Sequence, residues 1–154
     1  MATNPRSTVR IARHPLHPLL VILPIGCWIG AFVTDLTYVR GGAAHWAYVS
    51  TWLILGGLVT AAIAGAAGLI DFLSEPRIRA LRAAWWHLYG NLIVFVLAIV
   101  DFMFHFRDGA AAVLDTGIIL SGLIVVLLGV NGWLGGELIY RHRVGVLEPA
   151  AEER

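Results

Sequence analysis

The stretch Tyr48–Leu69, YVSTWLILGGLVTAAIAGAAGL, lies between Arg40 and Asp71 and carries no charged side chain. A helix of roughly 20 apolar residues crosses about 30 Å of hydrocarbon, so this segment is long enough to span a bilayer. Three further stretches share its character. One runs from His14 to Thr34 and is closed by Asp35. Another runs from Trp85 to Phe106, interrupted by Asp101. The last lies between Asp115 and Glu137, with Tyr140 at its end. Gly41-Gly42, Ser74-Glu75-Pro76 and Arg107-Asp108-Gly109 punctuate the connections. The expected helices cover residues 16–36, 48–72, 85–106 and 113–140.

Joined by loops this short, four such helices form an all-α, antiparallel up-down bundle. The transmembrane domain spans residues 14–146, between a polar N-terminal segment (1–13) and a C-terminal tail (147–154). The first stretch is too long for the apolar region of a signal peptide, and no small-x-small cleavage site precedes Asp35. No strand-like alternation points to a β-barrel.

Composition agrees. Of 154 residues, 58% are hydrophobic and 14% charged, with a mean hydropathy of +0.78. Soluble domains carry about 25% charged residues, so these few charges exclude that class, and the apolar content excludes disorder. A net charge of +1 without a basic run excludes a nucleic-acid binder. The single cysteine, Cys27, excludes a disulfide framework and a cysteine-rich zinc site; in the first helix it reads as a small core residue.

The arginines orient the bundle. Arg6, Arg10, Arg13, Arg77, Arg79, Arg82, Arg141, Arg143 and Arg154 fall on one side, and Arg40 and Arg107 on the other. The positive-inside rule then places both termini in the cytoplasm. Trp46 and Trp52 near one surface, and Trp85 and Trp86 near the other, suit interfacial belts.

Small residues recur at helical spacing, as Gly57, Ala61, Ala64 and Gly68 in the second helix and Gly122, Gly129, Gly132 and Gly136 in the fourth. Such stripes let helices approach closely in lipid. They suit tight packing within one bundle, a homo-oligomer seam, or a flat cofactor lying on the glycines. Pro24 is expected to kink the first helix by removing a backbone hydrogen bond.

Intramembrane ionisable groups are costly and face the protein interior. In the third helix His87, Asn91, Val94, Ala98, Asp101 and His105 recur every three or four residues, so one face carries them all. His87 and His105 are 18 positions apart, about 27 Å at 1.5 Å per residue, and sit at opposite surfaces. Projection by depth gives two layers. The cytoplasmic layer collects His14, His17, Asp71, His87, Asn91, Glu137 and His142. The outer layer holds Asp35, His45, Asp101 and His105, with Asp108 and Asp115 in the adjoining turn.

Bland roles compete for each of these. His14, His17 and His142 suit contacts with lipid headgroups, and His87 suits an interfacial hydrogen bond. Asp71 and Glu137 suit ion pairs with Arg82 or Arg141. His45 and His105, close to loops, suit surface roles.

Convergence of the cytoplasmic layer supports a cofactor site. Neutral imidazoles suit transition metals, and Asp71, Asn91 and Glu137 one shell out would fix their tautomers. One version is a b-type haem between His17 and His87; the other is a compact transition-metal site of His14, His17, His87 and His142. The ligands lie near the hydrocarbon edge, which the compact site tolerates better. Two other classes stay open. One is a structural or interaction module without a cofactor. The other is a proton- or ion-handling element using Asp101 and His105 on one side and His87 and Glu137 on the other. The third helix is apolar between Asn91 and Asp101, which counts against that pathway. No Ser-His-Asp order, phosphate loop or deep pair of carboxylates marks an enzyme.

The run HPLHPLLVILPIGCWIGAFVTDL (His14–Leu36) resembles the opening of the bacterial membrane proteins grouped as domain of unknown function 2231. AAIAGAAGLIDF (Ala61–Phe72), the spacing of His87 and Asn91, and GGELIYRHRVGV (Gly135–Val146) extend the likeness over about residues 14–146. The family's motif falls here on His14, His17, Asp35, Asp71, His87, Asn91, Glu137 and His142. Arg143 departs from it, standing where a small residue is expected, which alters local charge. The resemblance implies a multi-pass protein of the bacterial inner (cytoplasmic) membrane, with the lipid bilayer as its surroundings. Fusions of relatives to Rieske-type domains imply electron transfer with a redox partner protein. The family itself carries no assigned biochemistry.

Overall fold

A computed structural model describes residues 4–147 of the chain. Among them four helical spans are long and apolar enough to cross a membrane: Leu16–Val39, His45–Ser74, Arg82–Asp108 and Ala110–Tyr140. They follow a small N-terminal hairpin of β1 (Arg10–Ile11) and β2 (His14–Pro15). The first span is two helices, α1 (Leu16–Leu20) and α2 (Ile22–Val39), parted at Val21. Pro24 causes the break: it has no N–H for the Leu20 carbonyl, and its ring crowds that same group.

The second span is α3 (His45–Ser74), followed by the short α4 (Pro76–Arg79). The third is α5 (Arg82–Asp108). The fourth opens with α6 (Ala110–Ala112), widens into a π turn at Val113–Gly117 and continues as α7 (Ile118–Tyr140). All four outrun the expected ranges, because polar residues such as His45 and Arg82 continue the helical hydrogen bonding past the apolar stretch. Gly41 (φ +93°) and Gly109 (φ +58°) take left-handed conformations that reverse the chain. Between α3 and α4, Glu75 caps the following turn. Its carboxylate accepts from Arg77 N, Nε and Nη2 at 3.2, 2.9 and 2.9 Å. The Arg77 guanidinium holds that carboxyl at about 2, well below the usual range.

The helices stand in a square. α2 packs on α3 and α7, and α5 packs on the same two, so α2 faces α5 across one diagonal. Trp28, Val94, Ala98, Ile124 and Leu128 fill the middle of the bundle. Large apolar side chains such as Ile22, Ile63, Leu92 and Val126 point outward. This inversion of the soluble pattern suits lipid, where close backbone approach rather than water exclusion holds helices together.

Two glycines show that approach. A Cβ at Gly57 would collide with the Trp28 indole, whose Nε1 donates to the Ile54 carbonyl at 3.3 Å. A Cβ at Gly122 would press on Phe32. The glycine stripe expected in the fourth helix is only partly an interface, since a Cβ at Gly129 or Gly132 would meet nothing within 4 Å.

The N-terminal segment is pinned to the arginine-rich end of the bundle. Asp71 accepts from Ser7 Oγ (2.7 Å), Thr8 N (2.6 Å) and Val9 N (2.8 Å). The expected pairing of Asp71 with an arginine is therefore corrected: backbone donors reach this buried carboxylate and Arg82 stays exposed. Glu137 does pair with Arg141, at 3.1 Å. From the other terminus, Gly145 N donates to the Pro5 carbonyl at 2.9 Å. Arg143, expected to alter only charge, has φ +54° and so occupies a left-handed position that favours glycine. Arg154 and the rest of the tail from 148 onward lie outside the described residues.

Candidate functional site

Two polar levels interrupt the apolar interior, both on the α2–α5 diagonal. At the arginine-rich end, His17 on α1 meets His87 on α5, with ring centroids 6.1 Å apart and planes at 87°. Each ring is aimed by a carbonyl of a neighbouring helix. His17 Nδ1 lies 2.8 Å from the Ala64 oxygen on α3, and His87 Nδ1 lies 3.1 Å from the Asn131 oxygen on α7. With Nδ1–H donating in both, each Nε2 keeps its lone pair, and among the described residues neither has a hydrogen-bond partner. Asn91 Nδ2 donates to the His87 carbonyl at 2.8 Å, so it braces the backbone that carries the ring.

Each ring also rests on a glycine. A Cβ at Gly68 would stand 2.8 Å from His17 Nδ1, and one at Gly135 would stand 3.1 Å from His87 Cε1. Both glycines lie four residues beyond the carbonyl that aims the ring: Ala64 then Gly68, Asn131 then Gly135. The first and third spans match as well. Buried Pro24, Trp28, Ala31 and Asp35 stand at the same steps from His17 as buried Val94, Ala98, Asp101 and His105 do from His87. The two helical hairpins thus repeat one pattern of inward positions, and the histidines pair at matched places in it.

At the far end, Asp35, Asp101 and His105 are 0%, 0% and 1% exposed. His105 Nε2 lies 3.3 Å from Asp35 Oδ1. Its Nδ1 is 3.0 Å from the Asp101 carbonyl oxygen and equally 3.0 Å from Asp101 Oδ1, but only the carbonyl meets hydrogen-bond geometry. Asp35 Oδ2 and both carboxylate oxygens of Asp101 are consequently buried without a hydrogen-bond partner among the described residues. A Cβ at Gly117, on the π turn, would stand 2.6 Å from His105 Cε1, so the wide turn brings its backbone against the ring.

These positions correct several expectations. The deepest ionisable constellation belongs to the far end, and His105 is a buried bridge between two acids, not a surface group. Asp35 and Asp101 form the deep carboxylate pair that spacing alone did not reveal, since they stand on opposite helices of the square. His45 is exposed and lies beside Trp46, with ring centroids 4.9 Å apart, and Asp108 and Asp115 are exposed as well.

The compact four-histidine set is not assembled. His14 is exposed, with Nδ1 on the Ala12 carbonyl at 3.0 Å, and His142 lies 3.9 Å from Glu137. The hairpin turns His14 outward, and the turn after α7 directs His142 to Glu137. Asp71 serves the N-terminal segment. Among the described residues no group of three or more His, Cys, Asp or Glu side chains is placed to hold a metal ion.

Two residues escaped the sequence reading. Asn131 is buried and supplies the carbonyl that orients His87; a Cβ at Gly90 would collide with its amide group. Its signal was an amide side chain well inside the most apolar span, between Ser121 and Glu137. Ser7 is buried on Asp71, and nothing in its exposed-looking surroundings marked it.

No curated protein and no solved structure matches the chain. The family model described as a predicted membrane protein, DUF2231, matches residues 13–148, which contain all four spans and both polar levels. The chain belongs to the DUF2231 family of predicted membrane proteins.

Proposed function

We propose that the chain is a membrane electron-transfer protein that takes a b-type haem between His17 and His87. The carrying observation is the histidine pair itself: diagonal helices, rings 6.1 Å apart, each Nδ1 committed to a carbonyl. Two imidazole–iron bonds of about 2.0–2.1 Å plus the ring radii come to about 6 Å, so His17 and His87 would hold one iron through the Nε2 atoms that make no other hydrogen bond among the described residues. Gly68 and Gly135 admit the rings, and the carbonyls of Ala64 and Asn131 fix the tautomer that ligation requires. When bound, haem supplies one-electron exchange.

The arginine distribution supports placing this pair on the cytoplasmic side of a bacterial inner membrane, where a redox partner protein reaches it. The protein purified in detergent should show reduced Soret and α bands and iron by elemental analysis. His17→Ala and His87→Ala should each abolish them, while His14→Ala and His142→Ala should retain them. A colourless protein that resists reconstitution with haemin would overturn the reading.

The buried triad favours a second role in proton handling. With both ring nitrogens facing oxygens, His105 either carries two protons or is neutral with Nε2 accepting a hydrogen bond from a protonated Asp35. An imidazolium between two carboxylates leaves one negative charge in an apolar interior, a cost that a further proton on Asp101 removes. Infrared difference spectra should contain a protonated carboxyl C=O stretch that Asp101→Asn eliminates. Its absence in the unsubstituted protein would reject this role.

A further inference from the structure

We infer that the N-terminal hairpin forms a binding site for a phosphate-bearing group. Arg6, Arg10 and Arg13 line one cleft of about 420 Å³, closed on its other side by Gly145 and Val146. Three guanidiniums repel one another unless an anion joins them, and among the described residues no acidic side chain lines the cleft. The nearby acids among the described residues are already committed. Asp71 takes Ser7, Thr8 and Val9, and Glu75 takes Arg77 together with the Arg6 backbone N–H at 3.4 Å. Among the described residues none of the three arginines has a carboxylate partner.

The cleft is built, not a chance gathering of surface arginines. The three bonds to Asp71 anchor one wall, the contact of Gly145 N with Pro5 ties in the other, and Leu16 N closes on the Val9 carbonyl at 3.0 Å. The hairpin turn sets Ala12 at φ +47° and Arg13 at φ +71°, left-handed conformations that non-glycine residues avoid. That strained turn carries Arg13 back toward Arg10. Arginine forks match the tetrahedral oxygens of phosphate, and the volume takes a phosphorylated headgroup-sized molecule rather than a bare ion. Ile11 and Leu147 leave exposed apolar surface close by, as a site at a membrane surface would. This inference is independent of the haem.

The phosphate comes from an anionic lipid or from solution, and two arms separate these sources. In one, the protein is reconstituted in phosphatidylcholine nanodiscs with and without phosphatidylglycerol, and retained lipid is counted by native mass spectrometry. In the other, inorganic phosphate and glycerol phosphate are titrated calorimetrically onto protein in neutral detergent. Selective retention of phosphatidylglycerol identifies a lipid site; millimolar or tighter binding in the second arm identifies a soluble ligand. In either arm the Arg10→Gln/Arg13→Gln variant, matched to the parent by thermal melting, should bind at least about tenfold more weakly. Arg107→Gln, at the opposite end, should bind as the parent does. Anion binding in neither arm, or equal binding by the double variant, would overturn the inference.

Discussion

Asp71→Ala should release the N-terminal segment while leaving the bundle folded. The carboxylate receives three charge-assisted hydrogen bonds, from Ser7 Oγ and from the Thr8 and Val9 N–H groups, at 2.6–2.8 Å. Bonds to a charged partner contribute about 1.5–3 kcal/mol each, but here the contributions do not simply add. Thr8 is exposed, so water replaces part of what its N–H loses. A local opening easier by about 2–4 kcal/mol follows, which is roughly 30- to 800-fold in the population of the open form. Limited trypsin reads that population directly, because Arg6, Arg10 and Arg13 lie within the released segment and closing outpaces cleavage at low protease. Mass spectrometry of the cleaved termini should show the acceleration at those three bonds. Ser7→Ala, losing one bond, should give about a tenfold effect. Cleavage of Asp71→Ala at the parent rate would refute the anchoring argument, and so would an equal fall in global melting temperature.

Other consequences are as direct. His105→Ala strips two buried carboxyls of their shared base and should lower stability in detergent by about 3–5 kcal/mol, seen as earlier thermal unfolding; an unchanged melt would contradict the bridging geometry. Gly57→Ala forces a Cβ into the Trp28 indole and should cost about 1–3 kcal/mol, whereas Gly26→Ala, which meets nothing within 4 Å, should not destabilise. Arg143→Gly should relieve the left-handed strain and stabilise the turn after α7 by up to about 1 kcal/mol, measured as slower amide exchange there. The Glu75 carboxyl, depressed by Arg77 to about 2, supports the α4 turn above its ordinary value of 4.5 and loses that contribution as pH falls through 2. A ¹³C titration of Glu75 should follow this course, and Arg77→Gln should return its midpoint toward 4.5.

The bundle was legible in the sequence because hydrophobic length is a local property. Tyr48–Leu69 declares a span whatever it packs against, and the face running from His87 to His105 declares which side turns inward. What stayed hidden depended on a second helix. Asp35 reads as the end of a span until α5 brings His105 beside it. Asp71 reads as an arginine's partner until the N-terminal segment folds back and offers backbone donors that no side-chain inventory contains. His14 looks equivalent to His17 by type and depth, yet the strained hairpin turns it outward. His17 and His87 share the level that their spacing gives them, whereas the carbonyls of Ala64 and Asn131 that aim the rings carry no residue signature at all.

The matching of the two hairpins has an evolutionary consequence. A two-helix unit bearing one histidine gains a second, facing histidine simply by pairing with a copy of itself, and fusing the copies leaves an arrangement of this kind. Once joined, such halves are free to differ wherever their shared contacts do not demand equality. Asp35 and His105 occupy matched positions with opposite chemistry. One end of the bundle carries like residues at matched positions, and the other sets an acid against a base there.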